Sequence, residues 1–188
     1  MVAAINKEID TVWLLIVVLR VLAMQVGLLM LEVGVVRRKN SRLTIVKNII
    51  DQFVVAIVFY AIGFPVSQGG QGGLSGGASD IFDLMFEEVD YGKWLMGYCF
   101  CNATCTIVSG AIAERCILET YVCFAFIMSS VIYPVLSCWC WGGGWLQQLG
   151  FHDFAGAGVV HLTAGLSGMI GTLILGPRLG FFRKTKND

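Results

Sequence analysis

The sequence is short of charge. Asp, Glu, Lys and Arg make up 14% of its 188 residues, against about 25% in an average soluble domain. Thirteen basic and thirteen acidic residues leave a formal net charge of zero. Without a basic excess, the chain lacks the electrostatic footprint of a nucleic-acid binder. With so few polar residues it is not a disordered segment, and the composition argues equally against an ordinary cytosolic enzyme. Histidine is scarcer still, at His152 and His161 alone. A secretory leader is not evident: no basic segment precedes the first apolar run, and that run is too long for a leader's core. Nor does the sequence show an internal repeat.

What fills the gap is apolar. Aliphatic, aromatic and sulfur residues reach 56%, and the 23 glycines bring the total to about two-thirds. Crossing a bilayer takes about 20 mostly apolar residues at about 1.5 Å each. Five stretches qualify, at about 12–31, 43–66, 94–113, 118–141 and 156–175. The first is interrupted by Arg20 and Gln25, and the second carries Lys47 and Asp51 in its early part. None shows the alternation of a transmembrane strand. The expectation is an all-α membrane protein with five transmembrane helices, forming one membrane domain over residues 1–188.

Basic residues give a direction. Arg37, Arg38, Lys39 and Arg42 lie between the first two stretches, Arg115 follows the third, and Arg178, Arg183, Lys184 and Lys186 follow the fifth. The other side holds only Lys7 and Lys93, with most of the acids. By the positive-inside rule the amino terminus is outside and the carboxyl terminus cytoplasmic. The glycine-rich run Gly69–Gly77 and the acidic cluster Asp80–Asp90 then form an external loop. It reads either as a solvated connection or as a weak attractor of cations. Five is an odd number, so a second copy in the same chain would enter from the opposite side and be inverted. Paired inverted halves with the site between them are a common transporter plan.

Ionisable residues within spans are costly and therefore informative. His161 lies about 7–8 Å below the outer end of the fifth stretch. It reads either as a histidine packed against a neighbouring helix or as a proton donor and acceptor. Asp153, just before that stretch, reads as a helix cap and as a shaper of the field at a cation entrance. Glu32, Lys47, Asp51, Glu114 and Arg115 read as structural, with Lys47 and Asp51 four apart and able to pair. Arg20 calls for a partner or a water path. Trp139, Trp141 and Trp145 gather at the outer end of the fourth stretch, as an interfacial belt or as a cage for a small cation. Phe100, about 9 Å into the third stretch, suits either packing or a gate beneath such a cage. Thr106 with Gly110, and Ala164 with Gly168 and Thr172, are spaced for close helix approach. The seven cysteines lie in or beside the third and fourth stretches. An odd count without an external-loop cysteine argues against a disulfide framework. The two Cys-x-Cys pairs make a poor metal site, since i and i+2 diverge on a helix. Asn102-Ala103-Thr104 fits the glycosylation pattern but falls inside a span.

Several of these segments occur together in one known family. They are Met24-Gln25-Val26-Gly27 with Leu31-Glu32-Val33-Gly34, Arg37-Arg38-Lys39-Asn40, Lys47-Asn48, and Gly110-Ala111-Ile112-Ala113-Glu114-Arg115. Tyr133-Pro134, Trp141-Gly142-Gly143-Gly144, Asp153-Phe154-Ala155-Gly156 with Val159-Val160-His161, and Gly176-Pro177-Arg178 complete the set. In order and spacing the chain resembles the ammonium transporter (Amt/Mep/Rh) family, closer to its Amt branch. The resemblance implies two inverted five-helix halves, assembled as homotrimers with a pore in each monomer, and this chain resembles the first half. It implies a plasma-membrane transporter rather than an enzyme, with ammonium or ammonia as substrate, the bilayer as surroundings and no cofactor. It implies that Trp141 is the aromatic wall of an external recruitment site and Phe100 one of two phenylalanines closing the entrance. Asp153 corresponds to a buried aspartate needed for transport, and His161 to the first of two pore histidines. Met96 stands where some members carry a further phenylalanine. The second histidine, the second gate phenylalanine and the serine of the recruitment site belong to the other half. A non-conducting half that serves as a membrane interaction or regulatory module is the alternative.

Overall fold

A computed structural model describes residues 2–69 and 90–178. The glycine-rich run from Gly70 on, the acidic residues Asp80 to Glu88, and Arg183, Lys184 and Lys186 lie outside the described residues. Helix α1 spans Val2–Val35. A 3-10 turn at Arg38–Asn40 leads into α2, Ser41–Val58. A π turn at Phe59–Gly63 continues α2 into the short α3, Phe64–Ser67. Helix α4 is Tyr91–Ala111. Helix α5, Leu118–Ile127, runs through a second π turn, Met128–Ile132, into α6, Tyr133–Cys140. A single turn, α7, follows at Trp145–Gln148, and a third π turn, Ala157–Leu162, opens α8, Thr163–Leu175. No strand occurs among the described residues.

Local chemistry explains the boundaries. Asp90 caps α4, its carboxylate accepting from the backbone N–H groups of Gly92 and Lys93 at 3.1 and 3.2 Å, which fills two donors that a helix start leaves open. Pro65 and Pro134 stand in the first turns of α3 and α6, each just past a π turn. A proline ring crowds the carbonyl four residues earlier and offers no N–H to it. Widening the preceding turn to i→i+5 bonding accommodates that loss.

Four helical runs are long and apolar enough to cross a membrane: Glu8–Val35, Arg38–Ser67, Leu118–Gln148 and Ala157–Leu175. Helix α4 has the length, about 31 Å for its 21 residues, but is more polar. The reason is its position. It packs chiefly against α1, α2 and α8, so neighbouring helices rather than lipid receive Asn102, Thr104, Thr106 and Ser109, all buried. The Asn102 amide donates to Gln52 at 2.6 Å, and the Thr106 hydroxyl donates to the Asn102 carbonyl at 3.0 Å. Around α4 lies the core, with Val55, Phe59, Tyr121, Met128, Tyr133 and Ala164. Lipid is as apolar as these side chains, so close packing rather than water exclusion holds the helices together. Gly168 shows this: a Cβ there would lie 2.9 Å from that of Ala111. Gly110, by contrast, is exposed with nothing near it, so only part of the small-residue spacing serves helix approach. Outward faces of α1 and α8 stay apolar and bare, including Trp13, Leu19, Leu166, Leu173 and Ile174.

Two buried carboxylates organise the end of the bundle that carries Arg37 and Arg178. Glu32 of α1 forms an ion pair with Lys47 of α2. It also accepts from the Asn48 amide at 2.8 Å and from the Ser109 hydroxyl at 2.9 Å. The expected Lys47–Asp51 pair therefore does not form. The Lys47 ammonium is taken by Glu32 and lies 5.1 Å from the centre of the Tyr121 ring, while Asp51 is buried with neither oxygen hydrogen-bonded to a described residue. Glu114 sits in the turn after α4, in the left-handed region at φ 61°. It accepts from the Arg37 backbone N–H at 3.0 Å and guanidinium at 3.2 Å, and from the Asn40 amide. Arg178 lies 3.0 Å away on the other oxygen. Burial alone would raise the Glu114 pKa, but these donors hold it below the usual carboxylate value. Arg115 reaches the Gly176 carbonyl at 3.2 Å. Arg20 is exposed on α1 and forms no ion pair among the described residues.

Candidate functional site

The opposite end of the bundle is aromatic and irregular. All three π turns approach it, and a cavity of about 500 Å³ opens between the segments beside them. Phe64 and Tyr133, each one residue past a π turn, and Gly156, one residue before the third, all line it. π turns redirect the side chains that follow them and are frequent where a helix must present functional groups.

The cavity wall contains Phe100 of α4, Trp141 just past α6 and Asp153 ahead of the third π turn. The Phe100 and Trp141 rings are 5.9 Å apart between centroids and tilted by 49°. Trp141 is presented by a sharp turn. The Trp141 and Gly142 N–H groups both bond the Ser137 carbonyl, at 2.8 and 3.1 Å. Gly142 packs against α3 so closely that a Cβ there would overlap the Ser67 carbonyl oxygen. The three-tryptophan cluster accordingly divides. Trp139 and Trp145 pair edge to face at 5.7 Å, and Trp141 turns into the cavity.

Asp153 is half-buried and accepts from the N–H groups of Gly158 at 3.0 Å and Val159 at 2.7 Å. It thus caps the opening turn of the α8 run from several residues upstream. Ala155 adopts φ 57° and Gly156 φ 79°, which curls the chain back far enough for this capping. A left-handed alanine costs about 1–2 kcal/mol, so the loop is strained in order to deliver the carboxylate to the cavity wall. His161 is not brought to this cavity. It lies on the third π turn, its backbone N–H bonded to the Gly156 carbonyl at 3.0 Å. Its imidazole is exposed and makes no hydrogen bond with a described residue. The reading of His161 as a histidine packed against a neighbouring helix does not hold within this chain.

Met96 lines the cavity too, at the position singled out for its missing phenylalanine. Sequence reasoning passed over Ser67, Gln68, Tyr133, Ser137 and Lys93, which complete much of the wall. Ser67 and Gln68 read only as the polar end of an apolar run. Lys93 served only as a marker of sidedness. The buried thiols of Cys99, Cys101, Cys105, Cys138 and Cys140 are free and act as small packing groups. No group of three or more His, Cys, Asp or Glu side chains is placed to hold a metal ion among the described residues.

A tilted aromatic pair and one carboxylate line a cavity at the end of an all-helical bundle with lipid-length apolar runs, the build of a membrane-embedded, multi-pass protein. Comparison with known proteins makes the class specific. The profile of the Ammonium Transporter Family matches residues 12–188, and the chain belongs to that family. It is 38% identical over 176 residues to Ammonium transporter 3 of Dictyostelium discoideum, covering 93% of this chain and 41% of the relative. Ammonium transporter Amt2 of Archaeoglobus fulgidus is 37% identical, with 95% and 41% covered. Ammonium transporter 1 member 3 of Solanum lycopersicum is 34% identical, with 96% and 41% covered. The chain thus spans about two-fifths of the length of these relatives.

Proposed function

We propose that this chain supplies the amino-terminal five-helix half of an ammonium transporter and one wall of its pore. The observation that carries the reading is the single cavity shared by Phe100, Trp141 and Asp153, in a chain whose relatives are named as ammonium transporters. In this reading α4 is the third of five spans, enclosed by the other four runs. The aromatic end faces outward and the Arg37–Glu114–Arg178 end faces the cytoplasm of a plasma-membrane protein. Ammonium settles against the Trp141 face, where the ring quadrupole replaces part of its hydration. The Asp153 carboxylate makes the local field favourable to a cation while holding its own loop. Carrying a bare ion across about 30 Å of apolar core is prohibitively costly. The ion therefore gives up its proton beneath Phe100 and crosses as neutral ammonia, with His161 relaying the proton. Potassium has no proton to lose and is left outside.

Two features fit a missing second half. His161 is exposed on this chain's free side, and α8 shows a bare apolar face. An inverted half placed there would enclose the imidazole in a pore, and three such monomers would form the assembly. The test is methylammonium uptake in a transporter-deficient cell expressing the full-length gene. Trp141→Ala is expected to weaken apparent affinity, and His161→Ala to abolish flux or to admit potassium. Unchanged ammonium-specific currents in the His161→Ala protein would overturn the proposal.

A further inference from the structure

We propose that Lys93 sets the charge of the cavity mouth, and with it the choice between singly and doubly charged cations. The inference deepens the reading above and rests on the cavity being a cation entrance. Among the described residues Lys93 is the only basic side chain lining the cavity, and Asp153 the only acidic one. The two are not equivalent. Asp153 is committed to the Gly158 and Val159 N–H groups, so much of its charge is offset by the start of the α8 run. Lys93 stands in the first turn of α4, and among the described residues its one ion-pair partner is loose, the Asp90 carboxylate at 3.6 Å. Both side chains are largely in the open, 64% and 56% exposed, where ion pairs hold weakly. A fixed ammonium therefore stands at the rim of a cavity built to receive ammonium.

The consequence is selective because the Coulomb energy scales with the product of the charges. At about 10 Å in a water-like medium, one fixed positive charge lowers occupancy by a monovalent cation about 2-fold and by a divalent one about 4-fold. The mouth thus discriminates against divalent ions before the aromatic pair acts. Raising the ionic strength to about 1 M shortens the screening length to about 3 Å and removes the effect. Asp90 moderates the charge. Its replacement by Asn keeps a good helix cap while removing the ion-pair partner that Lys93 has among the described residues.

The test reads the local potential first and transport second. The full-length protein in lipid nanodiscs is titrated with iodide and with caesium. The contribution of Trp141 to the fluorescence is taken as the difference from Trp141→Phe. At low ionic strength Lys93→Gln is expected to lower the iodide-to-caesium quenching ratio at Trp141 about 4-fold, Lys93→Arg to leave it in place, and Asp90→Asn to raise it. In uptake assays Lys93→Gln is expected to tighten methylammonium about 2-fold and to strengthen block by calcium about 4-fold. Both changes disappear in high salt. An unchanged quenching ratio in Lys93→Gln overturns the proposal, and so does an equal change for methylammonium and calcium. If the unaltered protein takes up no methylammonium, the transport reading fails, while the quenching ratio still decides the role of Lys93.

Discussion

The two ends of this bundle are built on opposite principles. At the basic end, the carboxylates of Glu32 and Glu114 are saturated. Glu32 receives an ammonium, an amide and a hydroxyl from α2 and α4. Glu114 gathers Arg37 and Asn40 from the turn before α2 and Arg178 from the segment after α8. At the aromatic end, the described residues place only Lys93 and Asp153 as charged groups on the cavity wall, helices widen into π turns, and rings and glycines shape an open volume. Saturated charge fixes one end of the helices, and that fixity lets the other end stay strained and accessible.

Breaking the basic end should cost the most stability. Glu32→Ala leaves the Lys47 ammonium buried without its counter-charge, a change that costs about 3–5 kcal/mol. Thermal unfolding in detergent or nanodiscs should show it as a loss of most folded protein. Gly142→Ala is the corresponding insult at the aromatic end. The Ser67 carbonyl must move, for about 1–3 kcal/mol, and methylammonium affinity should fall with stability because Trp141 moves too.

Acid separates the ends further. The Glu114 pKa is lower in the folded protein than its unfolded value of 4.5, so its contribution is complete above that value and is lost as pH falls through the folded one. The melting temperature of the unaltered protein should therefore drop below about pH 4.5, and Glu114→Gln should lower it at neutral pH while flattening the drop. A Glu114→Gln protein with an unchanged acid profile would remove Glu114 from the account.

The sequence made the helices legible because an apolar run near 20 residues has few other outcomes. It also marked Phe100, Trp141 and Asp153, which the fold brings to one cavity although 53 positions separate the first from the last. Partner choice among charges was not legible. Helical spacing permits Lys47 to meet Asp51, yet Glu32, fifteen residues away, wins because α1 packs beside α2 and α4, where Asn48 and Ser109 also donate to its carboxylate. The enclosed position of α4 was equally hidden, since a hydropathy run does not say whether lipid or protein surrounds it. The cavity residues Ser67, Gln68 and Lys93 come from ends of separate runs, and only tertiary packing unites them.

The π turns also govern how this chain tolerates change in length. Each carries one more residue than α-helical winding would need, so deleting a single position within 128–132 would let the run revert to an ordinary helix. Because the wide turn absorbs the extra residue, everything after it would keep its phase relative to Leu118–Ile127. The same deletion inside Leu118–Ile127 would turn everything after it by about 100° and swing Trp141 out of the wall. For this family member a one-residue gap in an alignment at 59–63, 128–132 or 157–162 is absorbed, whereas a gap inside a regular helix is a change of phase.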